Sequence, residues 1–253
     1  MTKLTAILLS LFLLILVGNA YSQDMNPEAG KLYNKGNSLL KAGNYNGAIE
    51  NYDKALAIEK DYRTYYQKGV AQKKTRDLEN AKSSFEECIK LKNDFSGSYN
   101  ALGGVYFQMG NYLEAIKNFE KVLTLTNKAS IQKKVKKNLS LAYSKLGNQE
   151  LTNGNAENGV DYLTKAVRFS NYDAAYLSLA KIYSELGEWD KSIAASEDAL
   201  KHRSKISTGG PYYYMGISYK GKGDNDKAKN MFKKAKGDVT YRKTAEYELS
   251  LLN

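Results

Sequence analysis

From about residue 29 onward, apolar and small residues return at spacings of three and four. Ala48, Tyr52, Ala55 and Leu56 are one such set, and this spacing lays them along a single stripe of a helix. The stripes come in pairs, and a short polar phrase separates the two members of each pair. It reads Ala42-Gly43-Asn44-Tyr45, then Met109-Gly110-Asn111-Tyr112, then Leu186-Gly187-Glu188-Trp189. Weaker copies are Asn153-Gly154-Asn155, Lys222-Gly223-Asp224 and Arg76-Asp77-Leu78. With Gly43, Arg76, Gly110, Gly154, Gly187 and Gly223 as anchors, successive spacings are 33, 34, 44, 33 and 36 residues. Each unit therefore predicts two amphipathic helices around a tight turn. Glycine closes the first helix in the left-handed conformation, and the following Asn, Asp or Glu opens the second. Only Pro27 and Pro211 could interrupt a helix.

Large and small residues recur at fixed places within the units. Leu32, Tyr65, Tyr99, Tyr143, Tyr176 and Tyr212 hold one large site, and Gly36, Gly69, Gly103, Gly147, Ala180 and Gly216 a small one. In the second helix, Ala48, Ala81, Ala115, Gly159, Ser192 and Ala228 precede Tyr52, Phe85, Phe119, Leu163, Ser196 and Phe232. Ala55, Cys88, Val122, Ala166, Ala199 and Ala235 close the pattern. This arrangement resembles the tetratricopeptide repeat (TPR) family over nearly the whole chain beyond residue 28. The resemblance implies an all-α, right-handed α-solenoid of about six repeats, spanning 29–61, 62–95, 96–129, 130–172, 173–208 and 209–238. A C-terminal capping helix is expected within 239–253, at Thr240 to Leu252. The family's closing proline is missing; Lys60, Asn93, Asn127, Asn171 and Ser204 stand near its sites. The insert from Asn127 to Leu139 is expected to lengthen the first helix of repeat four, and Ser196 to weaken the second helix of repeat five.

Eleven of the 21 tyrosines fall on signature positions, so their abundance reads as packing. Trp189 shares a turn site with Tyr45 and Tyr112 and is expected in the core. Cys88 is the only cysteine, which rules out an intramolecular disulfide and leaves stability to helix packing.

The N-terminus has a different character. Lys3 precedes an apolar run from Ala6 to Val17 broken only by Ser10, and Ala20-Tyr21-Ser22 matches a signal-peptidase site. The run is short for a membrane span. Residues 1–22 thus read as a signal peptide and 23–28 as a short lead. The expected product is exported, periplasmic or secreted, and does not span a membrane after cleavage. The whole chain carries +11; removing Lys3 and no acid leaves +10. Such a charge favours acidic protein partners or anionic glycans and lipid headgroups, and export argues against nucleic acid.

In the resembled family the first helix of each repeat lines a concave groove. The corresponding positions here include Tyr33, Asn37, Leu40, Arg63, Tyr66, Val70 and Lys73, then Asn100, Phe107, Ser144, Asn148, Lys181, Tyr213, Ile217 and Lys220. The partner-binding set taken from them is Tyr33, Asn37, Arg63, Tyr66, Lys73, Asn100, Phe107, Asn148, Lys181, Tyr213 and Lys220. Aromatic residues offer contact area and amides can pair with an extended backbone. Tyr66, Lys73, Asn100 and Phe107 are expected on the concave face of repeats two and three. The lysine/asparagine clamp with which one TPR subclass grips a C-terminal carboxylate is not reproduced: of Tyr33, Asn37, Gln67, Gly97 and Ala101, only Asn37 matches. Lys128, Lys133, Lys134, Lys136 and Lys137 form the densest basic cluster, either a solvated face or a patch for an anionic surface. His202 has no neighbour at metal-ligand spacing and reads as a surface residue. No nucleophile, paired-carboxylate or phosphate-loop motif stands apart from the repeat, so neither catalysis nor a cofactor is expected. The reading is an exported scaffold holding a protein or peptide segment in its groove. The alternative is a basic adaptor on anionic envelope surfaces.

Overall fold

A computed structural model describes residues 25–252, so the signal-peptide reading of residues 1–22 lies outside the described residues. Among the described residues there are thirteen α-helices and no strand. They divide into two compact units that meet between residues 93 and 94.

The first unit holds α1 (Pro27–Lys41), α2 (Tyr45–Ile58), α3 (Tyr62–Lys74) and α4 (Leu78–Leu91). The second holds α5 (Ser96–Gln108), α6 (Tyr112–Leu125), α7 (Ala129–Thr152), α8 (Ala156–Phe169), α9 (Asp173–Glu185), α10 (Trp189–Lys201), α11 (Gly209–Gly221), α12 (Asn225–Ala235) and α13 (Arg242–Ser250). Odd and even helices through α12 form the expected consecutive pairs, each packed as an antiparallel hairpin. The terminal helix is two residues shorter at each end than the sequence predicts, and it packs on α12.

All six turn anchors take positive φ. Gly43, Gly110, Gly154, Gly187 and Gly223 lie between 74° and 84°, and Arg76 stands at 63°. At Gly43, Gly110, Gly154 and Gly223 a Cβ would meet nothing within 4 Å, so conformation and not space selects glycine there. The next residue caps the following helix in four repeats: Asn44, Asp77, Asn111 and Asp224 accept backbone N–H groups of α2, α4, α6 and α12. Asn155 and Glu188 make no such cap; the Asn155 amide turns back to Glu150 at 2.9 Å.

The small sites of the first helices exist for the opposite reason. A Cβ on Gly36 would stand 2.5 Å from the Tyr52 ring. The corresponding distances are 2.7 Å from Phe85 at Gly69, 2.8 Å from Phe119 at Gly103, and 2.5 Å from Phe232 at Gly216. The ring of the second helix packs closely against the bare backbone of the first. Repeat five reverses both sizes, with Ala180 at the small site and Ser196 at the ring site, and both are fully buried. Ser196 does not break α10, which runs unbroken through it, but its hydroxyl is buried without a hydrogen-bond partner.

In the first unit Ala48, Tyr52 and Ala71 are buried beneath Tyr33, Leu39, Leu40 and Ile49. In the second, one core runs from Ala115, Phe119 and Val122 through Val135, Leu139 and Tyr143 to Leu163, Leu179 and Ala195. A smaller core of Ala228, Phe232, Ala235 and Ala245 lies under α13. Trp189 is only half-buried, lying against Gly221, where a Cβ would stand 2.5 Å from its ring. The inserted segment is absorbed as predicted: α7 is a single helix of 24 residues, against 13 in α5. The added turns extend it by about 16 Å. They bury Val135 and Leu139 and leave Lys133, Lys134, Lys136 and Lys137 exposed.

Between α10 and α11 the chain is held by one carboxylate. Asp173, fully buried at the start of α9, accepts hydrogen bonds from the backbone N–H groups of Ser204 (2.6 Å), Lys205 (2.7 Å) and Ile206 (3.2 Å), and from the Ser204 hydroxyl. Burial pushes its carboxyl up, but these donors outweigh burial and hold it at about 2.

Candidate functional site

The first helices place the predicted groove residues in unequal situations. In the first unit Asn37 is already engaged, accepting the Tyr52 hydroxyl at 2.8 Å. The Tyr33 ring lies 6.2 Å from that of Tyr52. Arg63 is tied to Asp61, the cap of its own helix, with Nη2 3.0 Å from the carboxylate. Tyr66 is half-buried with its ring 5.7 Å from Phe85, and burial raises its hydroxyl above the usual tyrosine range. Lys73 is half-buried; burial first, and Lys74 second, lower its ammonium below the usual lysine range.

In the second unit Phe107 is also a packing residue, half-buried with its ring 5.3 Å from Tyr112 and set against the main core. Tyr66 and Phe107 each pack against an aromatic ring of the second helix of their own repeat and stay half-exposed. Tyr213 and Lys220 are taken up from within. The Tyr213 ring lies 5.4 Å from Tyr241, and Lys220 forms an ion pair with Glu248 of α13 at 2.7 Å. The C-terminal segment thus reaches Tyr213 and Lys220 of α11.

The remaining predicted residues gather at two clefts on the second unit. Between α5 and α7 opens a space of about 420 Å3, lined by Ser96, Gly97, Asn100, Ile131, Lys134, Val135, Lys137 and Asn138. It brings Asn100, drawn from the groove set, against Lys134 and Lys137, drawn from the basic cluster; the two appear unrelated in the sequence. Between α7 and α9, Asn148, Thr152, Ser178, Lys181 and Glu185 border a smaller cleft of about 230 Å3. There the Asn148 amide donates to the Ser144 carbonyl of its own helix, and Lys181 lies 3.8 Å from Glu185. Asn138 is the residue that the sequence reading missed. It lies outside the groove positions because the insert displaces it from the repeat register, although the lysines around it were a usable signal. His202 is half-buried and stacks on Tyr176 at 5.8 Å, not standing free on the surface. Cys88 is fully buried, in the small core site where the sequence put it.

Comparison with known families matches tetratricopeptide repeat models to residues 31–62, 62–95, 96–128, 173–204 and 212–238. The chain belongs to the tetratricopeptide repeat family. TPR proteins mediate protein–protein interaction. The matches cover repeats one to three, five and six and pass over repeat four, the one whose first helix is lengthened. Among curated relatives, the photosystem I assembly protein Ycf3 of Prochlorococcus marinus is 30% identical over 58% of this chain and 88% of its own. The heat shock protein STI1 of Saccharomyces cerevisiae is 27% identical over 62% of this chain and 28% of its own. A TPR repeat-containing protein of Methanocaldococcus jannaschii is 23% identical over 86% of this chain and 40% of its own. The chain thus spans well under half the length of the last two. Among solved structures, MamA aligns with 74% of this chain and 96% of its own, at 26% identity and a TM-score of 0.50. YrrB aligns with 79% and 97%, at 20% identity and a TM-score of 0.52. These likenesses and the paired helices make the fold an all-α, TPR-type solenoid. No described helix is long and apolar enough to cross a membrane.

Proposed function

We propose that this TPR protein is an exported scaffold that holds a segment of a protein partner against the first-helix faces of its second unit. One observation carries the reading: α5, α7 and α9 leave solvent-open clefts edged by Asn100, Lys134, Lys137, Asn148 and Lys181, where other repeat positions are spent on packing. The relatives' names include a photosystem assembly protein and a heat shock protein, which supports an assembly role in general and names no partner here. Export rests on the Lys3, Ala6 to Val17 and Ala20-Tyr21-Ser22 pattern alone.

The test is crosslinking of the protein in its native cells, followed by mass spectrometry. Adducts joining Asn100, Asn148 or Lys181 surroundings to a reproducible protein partner are the expected result. Recovery of the chain without any protein partner would overturn the scaffold reading.

A further inference from the structure

The lengthened start of α7 gives the second unit a surface that the repeat pattern does not require. Val135 and Leu139 turn inward, Lys134 and Lys137 border the α5–α7 cleft beside half-buried Ile131, and Lys133 and Lys136 are exposed next to them. Glu150, at the far end of the helix, is the only acid along α7, and α5 carries no charged residue at all. None of these four lysines is ion-paired among the described residues, whereas twelve other lysines are. The cleft beside them also holds unused hydrogen-bonding capacity. The amides of Asn100 and Asn138 make no hydrogen bond among the described residues, while Asn118 and Asn148 spend theirs on carbonyls of their own helices. Ser96 and Gly97 line the α5 side, and half-buried Ile131 supplies an apolar floor.

Resting on the scaffold reading, we propose that the α5–α7 cleft and the adjoining lysine face form one docking surface for an acidic, extended segment of a partner protein. Each amide offers a donor and an acceptor, the pair of groups that an extended backbone presents along its edge. The floor takes an apolar side chain, and the lysines meet flanking carboxylates. Their exposure makes them steering groups, whose attraction falls with salt as the screening length shortens to about 10 Å at 0.1 M. A flat anionic lipid layer would use the lysines but would not call on the Asn100 and Asn138 amides or on the apolar side chain between them.

The experiment measures binding of fluorescein-labelled short peptides to the full chain by anisotropy, with glutamate at every second position and apolar residues between. Glutamine counterparts and phosphatidylglycerol vesicles serve as rival probes. The glutamate peptides should bind at least about tenfold more tightly than the glutamine ones. Lys134→Gln with Lys137→Gln should remove most of that advantage and flatten the salt dependence. Asn100→Ala with Asn138→Ala should weaken binding about tenfold at unchanged salt dependence. Lys60→Gln with Lys74→Gln, an equal charge change in the first unit, should alter affinity less than about twofold. The proposal is overturned if that control loses as much as the cleft variant, if the cleft variant binds normally, or if vesicles bind through Lys134 and Lys137 while peptides do not. A crosslinked partner that is indifferent to the cleft variant but lost with Asn148→Ala and Lys181→Ala would sink this inference and leave the scaffold standing. Absence of any crosslinked protein would sink the scaffold itself.

Discussion

Arg76 is the one turn anchor that is not glycine, and its φ of 63° puts a branched-off Cβ in the left-handed region. Arg76→Gly should relieve that strain and raise unfolding free energy by about 1 kcal/mol, after the larger chain entropy of glycine is deducted. Chemical denaturation reads it, and a loss of stability would mean that the Arg76 side chain makes a compensating contact. Ser196→Ala should also stabilise, by about 1 kcal/mol, because it removes a buried hydroxyl with no partner. The same site tests the size pairing of the repeats. Ser196→Phe alone should overpack against Ala180 and cost about 1–3 kcal/mol, and adding Ala180→Gly should recover most of it. Equal stabilities for the single and double variants would show that these two positions do not face each other. At this scale the sequence was readable wherever residues act on near neighbours: the turn glycines, the small sites and the core Cys88 all follow from periodicity. It was silent where partners are distant. Nothing in the sequence announces that Asp173 receives Ser204, Lys205 and Ile206, more than thirty residues on.

Among elements, that carboxylate is the clearest case of one helix holding a connection in place. Its folded value of about 2 lies below the ordinary 3.8, so its contribution is complete above 3.8 and fades as pH falls towards 2. The amount at neutral pH is about 2 kcal/mol, and Asp173→Asn should lose much of it and flatten the acid limb of the stability profile. Thermal melts between pH 2 and 5 decide, and parallel acid limbs for the two proteins would contradict the assignment. Ala115 sits where α5 and α6 touch, fully buried, with its carbonyl 3.2 Å from a Cβ placed on Gly103. Ala115→Leu should therefore cost about 1–3 kcal/mol, and a change of only a few tenths would put the repeat register in error. The lengthening of α7 was visible as a break in the period, 44 residues where 34 is usual. What the added turns would face was not visible, because a pattern of stripes gives the buried side of a helix and not the neighbour across an open cleft. The same gap explains Tyr66 and Phe107. Groove positions were assigned by register, and register does not tell which of them the repeat closes with its own aromatic rings.

For the molecule as a whole, the export reading makes a direct prediction. The protein recovered from its own cells should begin at Gln23, with a net charge of +10 in place of +11, and an intact Met1 in a cytoplasmic fraction would refute it. If the scaffold reading holds, the clefts between the first helices bind the partner while the second helices serve the stack. Titration calorimetry of the crosslinked partner tests it most directly. One variant is Asn100→Ala with Asn148→Ala and Lys181→Ala; the other is Lys117→Ala with Lys165→Ala, an exposed residue of α6 and a half-buried one of α8. Both should keep the helical circular dichroism of the parent. The expected result is a loss of affinity of at least about tenfold for the cleft variant and a change within about twofold for the other. Full affinity in the cleft variant, with loss in the second-helix variant, would place the partner on the opposite face and contradict it.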